Sequence, residues 1–238
     1  MTQVWAHRGA RLEAPENTLA AFAAAIDAGA DGIELDVRRT ADGVLVIHHD
    51  PRVALGDGSV HALRDVTVAD LATVRLGDGE RVPTLAEAYA MLAPTALTLN
   101  VELKRVALPD RGLEEQSLAA MHASGMADRV VHSSFDHGAL LRIRRLDPDA
   151  RIAPLYERPR PHPWELATRL GAEAVHAYAP TLASPGILVG LADSGIGVRA
   201  WTVNDPHEQR ELIAAGIDAL ITDDPRRAVA LRDSLAGS

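Results

Sequence analysis

The chain alternates between two patterns of apolar and polar residues. Apolar runs of about four to eight residues have the length of buried strands, and they recur between longer stretches with apolar residues at helical spacing. Gly, Pro, Asp and Asn stand at most junctions, where they end one element and begin the next. This regular alternation predicts βα units around a parallel sheet.

Eight runs are predicted to be strands that can pair in parallel. They cover residues 3–7, 32–37, 96–104, 129–134, 151–157, 174–178, 198–203 and 217–222. Helices are predicted from Asn17 to Gly29, over 84–92, 112–124, 137–146 and 164–170, near Ser184-Pro185, and after Asp205 and Asp224. Asn17, Asp205 and Asp224 are the expected N-caps, and Thr84 with Glu87 forms a capping box. Eight βα units predict an α/β fold, a (β/α)8 TIM barrel, as a single domain over residues 1–238.

An extra hairpin strand is predicted after the second barrel strand. Asp42-Gly43 is typical of a two-residue turn, which folds the chain straight back. With Ala41 opposite Val44, the count places Asp36 opposite His49, although a longer loop would shift this register by one. Residues 51–82 then read as an irregular excursion with one short helix from Thr67.

Composition narrows the possible partners. The 238 residues carry a formal net charge of −9, which disfavours nucleic acid and anionic membranes but permits a bound cation. The absence of cysteine excludes a disulfide framework and a thiol nucleophile. The chain enters a strand at once, without a signal-like leader, and lacks an apolar run of membrane-spanning length, so we expect a cytoplasmic protein without a stable membrane anchor. Its oligomeric state is left open.

Three carboxylates are predicted to share one end of the barrel. Glu34 and Asp36 are two residues apart on the second strand and so share a face, and Glu102 ends the third strand. Working groups of such barrels lie at the carboxyl ends of the strands. Oxygen ligands suit a hard divalent cation, Mg²⁺ or Ca²⁺. Two histidines are near and would suit zinc, but we expect them to stay free for proton transfer, so zinc is the weaker alternative.

Two histidines and two cations accompany these acids. His7 and Arg8 end the first strand, His49 lies on the hairpin return and Lys104 follows Glu102 on the same face. Arg8 and Lys104 can hold phosphate oxygens, while one histidine takes a proton and the other gives one. The residues therefore indicate cleavage of a phosphodiester, with the acid and the base not assigned.

The motifs of the chain resemble those of the glycerophosphodiester phosphodiesterase family, in the same order. They are His7-Arg8-Gly9, Ala14-Pro15-Glu16-Asn17-Thr18, Glu34-Leu35-Asp36-Val37, Thr40-Ala41-Asp42-Gly43, His49-Asp50, Glu102-Leu103-Lys104, Ser134-Phe135, Trp201-Thr202-Val203-Asn204 and Ile221-Thr222-Asp223. The resemblance implies a metal-dependent barrel that cleaves small glycerophosphodiesters to glycerol 3-phosphate and an alcohol.

The resemblance also implies roles for individual residues. His7 and His49 are the acid and base, Arg8 and Lys104 contact phosphate or the metal shell, and Trp201 contacts substrate. The same resemblance makes Glu34, Asp36 and Glu102 the metal ligands.

Several alternatives stay open. The substrate could be a lysophospholipid, cleaved as by a lysophospholipase D, or the barrel could bind a phosphorylated ligand without turnover. Attack by water and attack by a neighbouring substrate hydroxyl, through a cyclic phosphate, are both compatible with the residues. After Asp50 the chain departs from the family pattern over residues 51–58, which we expect near the pocket mouth. His132 and His176 lie within strands, and a structural role is favoured for both.

Overall fold

Eight parallel strands close into a ring in the computed structural model, which describes residues 1–104, 112–184 and 186–237. The strands, in chain order, are β1 (Gln3–His7), β2 (Gly32–Arg39), β3 (Leu45–Ile47), β4 (Arg52–Ala54), β5 (Val60–Ala62), β6 (Thr98–Leu103), β7 (Val130–Ser134), β8 (Arg151–Tyr156), β9 (Ala174–Tyr178), β10 (Gly197–Trp201) and β11 (Ala219–Thr222). The ring runs β1-β2-β6-β7-β8-β9-β10-β11 and returns to β1. The predicted (β/α)8 barrel with an extra strand is confirmed.

Helices lie between the ring strands. They are α1 (Leu19–Asp27), α2 (Val68–Leu71), α3 (Leu85–Leu92), α4 (Leu113–Ser124), α5 (His137–Leu146), α6 (Pro163–Leu170), α7 (Ile187–Asp193), α8 (Pro206–Ala214) and α9 (Pro225–Ala236). Short 3₁₀ turns cover Leu63–Asp65, Gly77–Gly79 and Ala179–Leu182. In the part of the chain that the structure describes, no helix combines the length and apolar character needed to cross a bilayer.

Most predicted helix ends are confirmed, and one is wrong. Thr84 and Glu87 form the expected capping box, and Asp205 and Asp224 accept hydrogen bonds from the first turns of their helices. Asn17 is not a cap. Thr18 caps α1 instead, by accepting from the Ala21 amide, because the Asn17 side chain is turned inward to another partner. Pro185, where the sequence places a helix start, lies outside the described residues.

The alternation of β2 separates the outer core from the barrel interior. Ile33, Leu35 and Val37 pack outward into the main hydrophobic cluster, between the ring and the helices. Glu34 and Asp36 point to the other face, as the strand period of two requires. Full burial of each large apolar side chain stabilises the fold by about 2 kcal/mol. The apolar positions of β2 thereby fix the direction of its two carboxylates.

The hairpin is present, but its predicted register is wrong by one residue. Val37 pairs with Ile47, so the pairing extends to His48 opposite Asp36, and the His48 amide donates to the Asp36 carbonyl at 2.9 Å. The loop has three residues rather than two, because the amide of Thr40 already bonds to the Val44 carbonyl. Gly43 at its end has a φ of 84°, the left-handed position that such a loop gives to glycine.

β3 lies outside the ring on an edge that the ring leaves open. Val37 pairs with Leu103 of β6 on one side and with Ile47 of β3 on the other. The β1 pairing on that second side ends at Glu34, so the upper half of β2 is free to take β3. The carboxyl end of β2 is therefore extended by a strand that leads to His49.

Residues 51–82 form an ordered insertion with its own apolar cluster. β4 and β5 pair antiparallel, and the predicted Thr67 is the N-cap of α2, where it forms a capping box with Asp70. Val46 of β3 belongs to the same cluster, whose other members are Val53, Leu63, Val66, Leu71, Val74 and Val82. The sequence pattern did not predict β4 and β5 because each has only three residues. The insertion packs against the outside of β3.

A polar network lies below the cavity and links buried Arg199 and His176 to the exposed Glu173. Arg199 lies over the Trp5 ring at 4.9 Å, and its guanidinium contacts Glu173 at 2.5 Å and His176 at 3.2 Å. Burial and Arg199 lower the pKa of His176 well below its usual value. His132 faces the opposite way and hydrogen-bonds to Ser117 of α4 at 3.0 Å. Neither histidine lines the cavity, as the favoured structural reading predicts.

We expect the His132→Gln variant to lose less stability in acid than the unaltered protein. Burial lowers the pKa of His132 to about 4 from 6.5, so between those values the unfolded chain binds a proton that the folded chain does not. The stability that the neutral form of His132 contributes is fully present above pH 6.5 and is lost as the pH falls toward 4. This histidine accounts for roughly 3 kcal/mol of that loss by pH 4.5.

Urea unfolding at pH 7.5 and pH 4.5 measures this difference. His207→Gln, an exposed histidine on α8, is the matched control and should keep the full acid loss. An equal loss in the His132→Gln and His207→Gln proteins would contradict the assignment.

Candidate active site

One cavity with about 600 Å³ of empty space opens at the carboxyl ends of the ring strands. Its lining residues are His7, Arg8, Glu34, His49, Asn100, Glu102, Lys104, Phe135, Leu155, Glu157, Trp201 and Ile221. The structure thus brings together all the sequence-predicted site residues. Asp36 alone among them does not line the cavity, and it lies buried within the same group, with 1% of its surface exposed.

Three carboxylates converge at this place. Glu34, Asp36 and Glu102 each offer an oxygen, and these oxygens lie within 4.8 Å of one another. Asp36 and Glu102 are direct partners in the β2–β6 pairing, which explains their proximity. Burial, Asp36 and Glu102 raise the pKa of Glu34 well above its usual value, and burial with Asp36 raises the pKa of Glu102 to about 7. The cluster is therefore short of positive charge.

Asp36 is the most heavily contacted of the three acids. Lys104 Nζ lies 3.2 Å from its Oδ1, and Arg8 Nε lies 3.1 Å from its Oδ2. The Asn17 side-chain amide donates to Oδ2 at 2.8 Å, while its oxygen accepts from the Asp36 backbone amide at 3.3 Å. Burial alone would raise the pKa of Asp36, but Lys104, Arg8 and Asn17 hold it below its usual value.

The loop after β1 takes a sharp course that aims Arg8 at the acids. Arg8 has a φ of 57° and Asn17 one of 59°, both in the left-handed region, which is uncommon for arginine and better tolerated by asparagine. In this conformation the Arg8 amide donates to Glu34 Oε2 at 3.0 Å, and its guanidinium reaches Glu16 at 2.8 Å as well as Asp36. A side chain at Gly9 would lie 2.7 Å from the Ala21 backbone, so glycine is required there.

His7 is oriented by an aspartate from the far end of the chain. Its Nδ1 lies 2.7 Å from Asp223 Oδ1, and Asn204 holds the other Asp223 oxygen at 2.7 Å. Because a carboxylate only accepts, Nδ1 carries the proton and Nε2 remains for the cavity, where it lies 4.0 Å from Glu34. Burial would raise the pKa of Asp223, but the hydrogen bond from His7 lowers it.

His49, at the rim of the cavity, is also held by an aspartate. Its Nδ1 lies 2.8 Å from Asp50 Oδ1, so its Nε2 is likewise available. Arg38 donates from Nε and from a terminal nitrogen to the His49 carbonyl, at 2.9 and 2.6 Å. Burial lowers the pKa of His49, with Lys104 acting in the same direction and Asp36 against it. His49 thus reaches the cavity although the predicted hairpin register was wrong.

Sequence reasoning missed several residues of the site. Asp223 directly follows the last strand, so the strand-end rule that found Glu102 could have found it too. Asn17 was assigned to a helix cap, and only its contact with Asp36 reveals its place. Phe135 follows the end of β7 and lines the cavity beside Trp201. Residues 51–58, expected near the pocket mouth, contribute no side chain to the lining.

The comparisons with known proteins agree with this geometry. The model of the glycerophosphoryl diester phosphodiesterase family matches residues 7–227. A glycerophosphodiester phosphodiesterase from Caldanaerobacter subterraneus subsp. tengcongensis is 35% identical over 237 residues, which cover 97% of this chain and 97% of that protein.

Solved structures give the same result. A glycerophosphodiester phosphodiesterase from Parabacteroides distasonis superposes with a TM-score of 0.88 at 28% identity, covering 99% of this chain and 98% of that one. A phosphodiesterase from Oleispira antarctica, in complex with the product sn-glycerol-3-phosphate, gives a TM-score of 0.81 at 27% identity and covers 98% and 97%. The chain therefore belongs to the glycerophosphoryl diester phosphodiesterase family of enzymes.

Proposed function

We propose that this enzyme hydrolyses glycerophosphodiesters to glycerol 3-phosphate and an alcohol, with a divalent cation on Glu34, Asp36 and Glu102 and with His7 and His49 transferring protons. One observation carries the proposal. Three carboxylates converge within 4.8 Å in a cavity lined by two histidines, each held by an aspartate through Nδ1. The Oleispira phosphodiesterase, captured with sn-glycerol-3-phosphate, supports the same product here.

The donor set fits a hard cation. All three groups are carboxylates, without sulfur, and their oxygens are close enough to share one ion. Among the described residues, the group of potential ligands that come within 4.8 Å of one another contains no histidine or cysteine, which makes zinc the weaker alternative. Mg²⁺ or Ca²⁺ would supply positive charge to the nonbridging phosphate oxygens and stabilise charge that develops on them.

The charge of the site also suits a phosphodiester. Three carboxylates exceed the charges of Arg8 and Lys104 by one negative charge. With a divalent ion the same group would carry one positive charge, which complements the single negative charge of a phosphodiester. Arg8 and Lys104 lie at the cavity wall, where they can bind the phosphate oxygens without leaving the carboxylates.

The two histidines supply the proton transfers. One Nε2 accepts the proton of the attacking hydroxyl, and the other donates a proton to the departing alkoxide. Asp223 and Asp50 stabilise whichever imidazole becomes positively charged and keep each ring in one tautomer. Direct attack by water gives glycerol 3-phosphate in one step. Attack by the glycerol hydroxyl would expel the alcohol and form a cyclic phosphate, which water would then open to glycerol 3-phosphate with the same two histidines exchanging the protons.

We expect the purified enzyme, stripped by a chelator, to release glycerol 3-phosphate from glycerophosphocholine only after Mg²⁺, Ca²⁺ or Mn²⁺ is returned. A coupled assay for glycerol 3-phosphate measures the product. Cleavage of lysophosphatidylcholine alone would favour the lysophospholipase D alternative. Binding of glycerol 3-phosphate with no turnover of either substrate would favour the non-catalytic barrel.

We expect His49→Ala to lower kcat by about a hundredfold to ten-thousandfold while the fold and the divalent-ion affinity persist, because the imidazole acts on protons and not on the ion. His48→Ala is a close control, since His48 is the adjacent residue and its imidazole does not line the cavity. Steady-state kinetics, circular dichroism and calorimetry measure the three properties. Wild-type turnover by folded His49→Ala protein would remove His49 from the mechanism.

We expect Glu102→Gln to weaken divalent-ion binding by at least roughly tenfold to a hundredfold, because substitution of residues that only hydrogen-bond to metal ligands already lowers metal affinity by that factor. The amide keeps the shape of the side chain but removes one of the three charges. Glu115→Gln, an exposed position on α4, is the matched control. Equal affinities of the two variants in a calorimetric titration would exclude Glu102 as a ligand.

A further inference from the structure

The cavity has two chemically different walls. The charged groups lie at the carboxyl ends of β1, β2 and β6 and after the hairpin, while Phe135, Leu155 and Trp201 lie at the carboxyl ends of β7, β8 and β10. In the ring order β6 lies opposite β10, and β1 lies opposite β8. A phosphate held at the charged wall therefore directs one of its two substituents toward an apolar wall.

Two aromatic rings form a right-angled corner in that wall. The Phe135 and Trp201 rings lie 5.6 Å apart with their planes at 87°. Trp201 is fixed from behind, because its indole nitrogen donates to the His176 carbonyl at 3.0 Å and Tyr178 packs against it at 5.3 Å. Phe135 is 38% exposed, so its ring is open to a ligand.

One carboxylate of the cavity lining comes from the same side of the ring. Glu157 lines the cavity just beyond the end of β8, two residues after Leu155. It forms no hydrogen bond or ion pair with any residue in the described parts of the chain. The apolar wall thus combines aromatic rings with one carboxylate that has no ion-pair partner among the described residues.

We propose that Phe135, Trp201 and Glu157 form a subsite for a quaternary ammonium head group on the leaving alcohol. This proposal rests on the proposed function and specifies its substrate class. Aromatic faces attract a cation whose methyl groups fill the corner, and such a cation needs no hydrogen-bond acceptor. Glu157 supplies the complementary charge, and the opposite wall holds the phosphate.

Two substrates of the same shape test the proposal. Glycerophosphocholine carries the quaternary nitrogen, and its 3,3-dimethylbutyl analogue has carbon at that atom and no charge. We expect the unaltered enzyme to hydrolyse the charged substrate with a kcat/KM about threefold to thirtyfold higher, the range that cation–aromatic attraction provides.

Variants assign the preference to residues. Glu157→Gln and Phe135→Leu should each reduce the ratio of the two kcat/KM values toward one, because one removes the charge and the other removes the aromatic face. Glu211→Gln, an exposed carboxylate on α8, should leave the ratio unchanged. Circular dichroism checks that each variant is folded.

The outcomes separate this proposal from the proposed function. Equal kcat/KM values for the two substrates would overturn the head-group subsite while hydrolysis itself stands. A preference that survives in both variants would overturn the assignment to these residues. If neither substrate is hydrolysed, the proposed function fails. Calorimetric affinities of the two compounds then test the subsite separately: tighter binding of the charged compound supports it, and equal affinities overturn it.

Discussion

The crowding of three carboxylates inside the ring is the constraint on which the site depends. A buried carboxylate is costly unless it is paired, and removing one partner from a buried ion pair typically costs about 3–5 kcal/mol. Asp36 meets this condition with three partners, Arg8, Asn17 and Lys104, which come from different segments of the chain. The loop after β1 and the end of β6 are thereby tied to β2. The unusual backbone of Arg8 is one consequence of this requirement.

Much of the fold could be predicted because strand alternation is a property of the local backbone. The apolar residues of β2 must pack against the helices, so Glu34 and Asp36 must face the interior, and the same logic applies to Glu102 on β6. Caps such as Asp205 and Asp224 depend on contacts within a few residues and were correctly predicted for the same reason.

The remainder depends on contacts that the sequence pattern does not encode. Asp-Gly fits a two-residue or a three-residue loop, and that single residue decided the register of β3. Asp223 meets His7 across 216 positions, a distance at which no local pattern operates. Asparagine is a residue type that favours helix N-caps, and only the contact with Asp36 shows that the Asn17 side chain is turned inward.

The two histidines belong to different parts of the molecule. His7 ends a strand of the ring, whereas His49 follows β3, which lies outside the ring and shares Val46 with the apolar cluster of the insertion. Small clusters of this kind open more easily than a main core. Leu45 and Ile47 of β3 nevertheless pack into the main cluster, and Arg38 of β2 holds the His49 carbonyl. Opening of the insertion would therefore leave His49 in place beside the three acids.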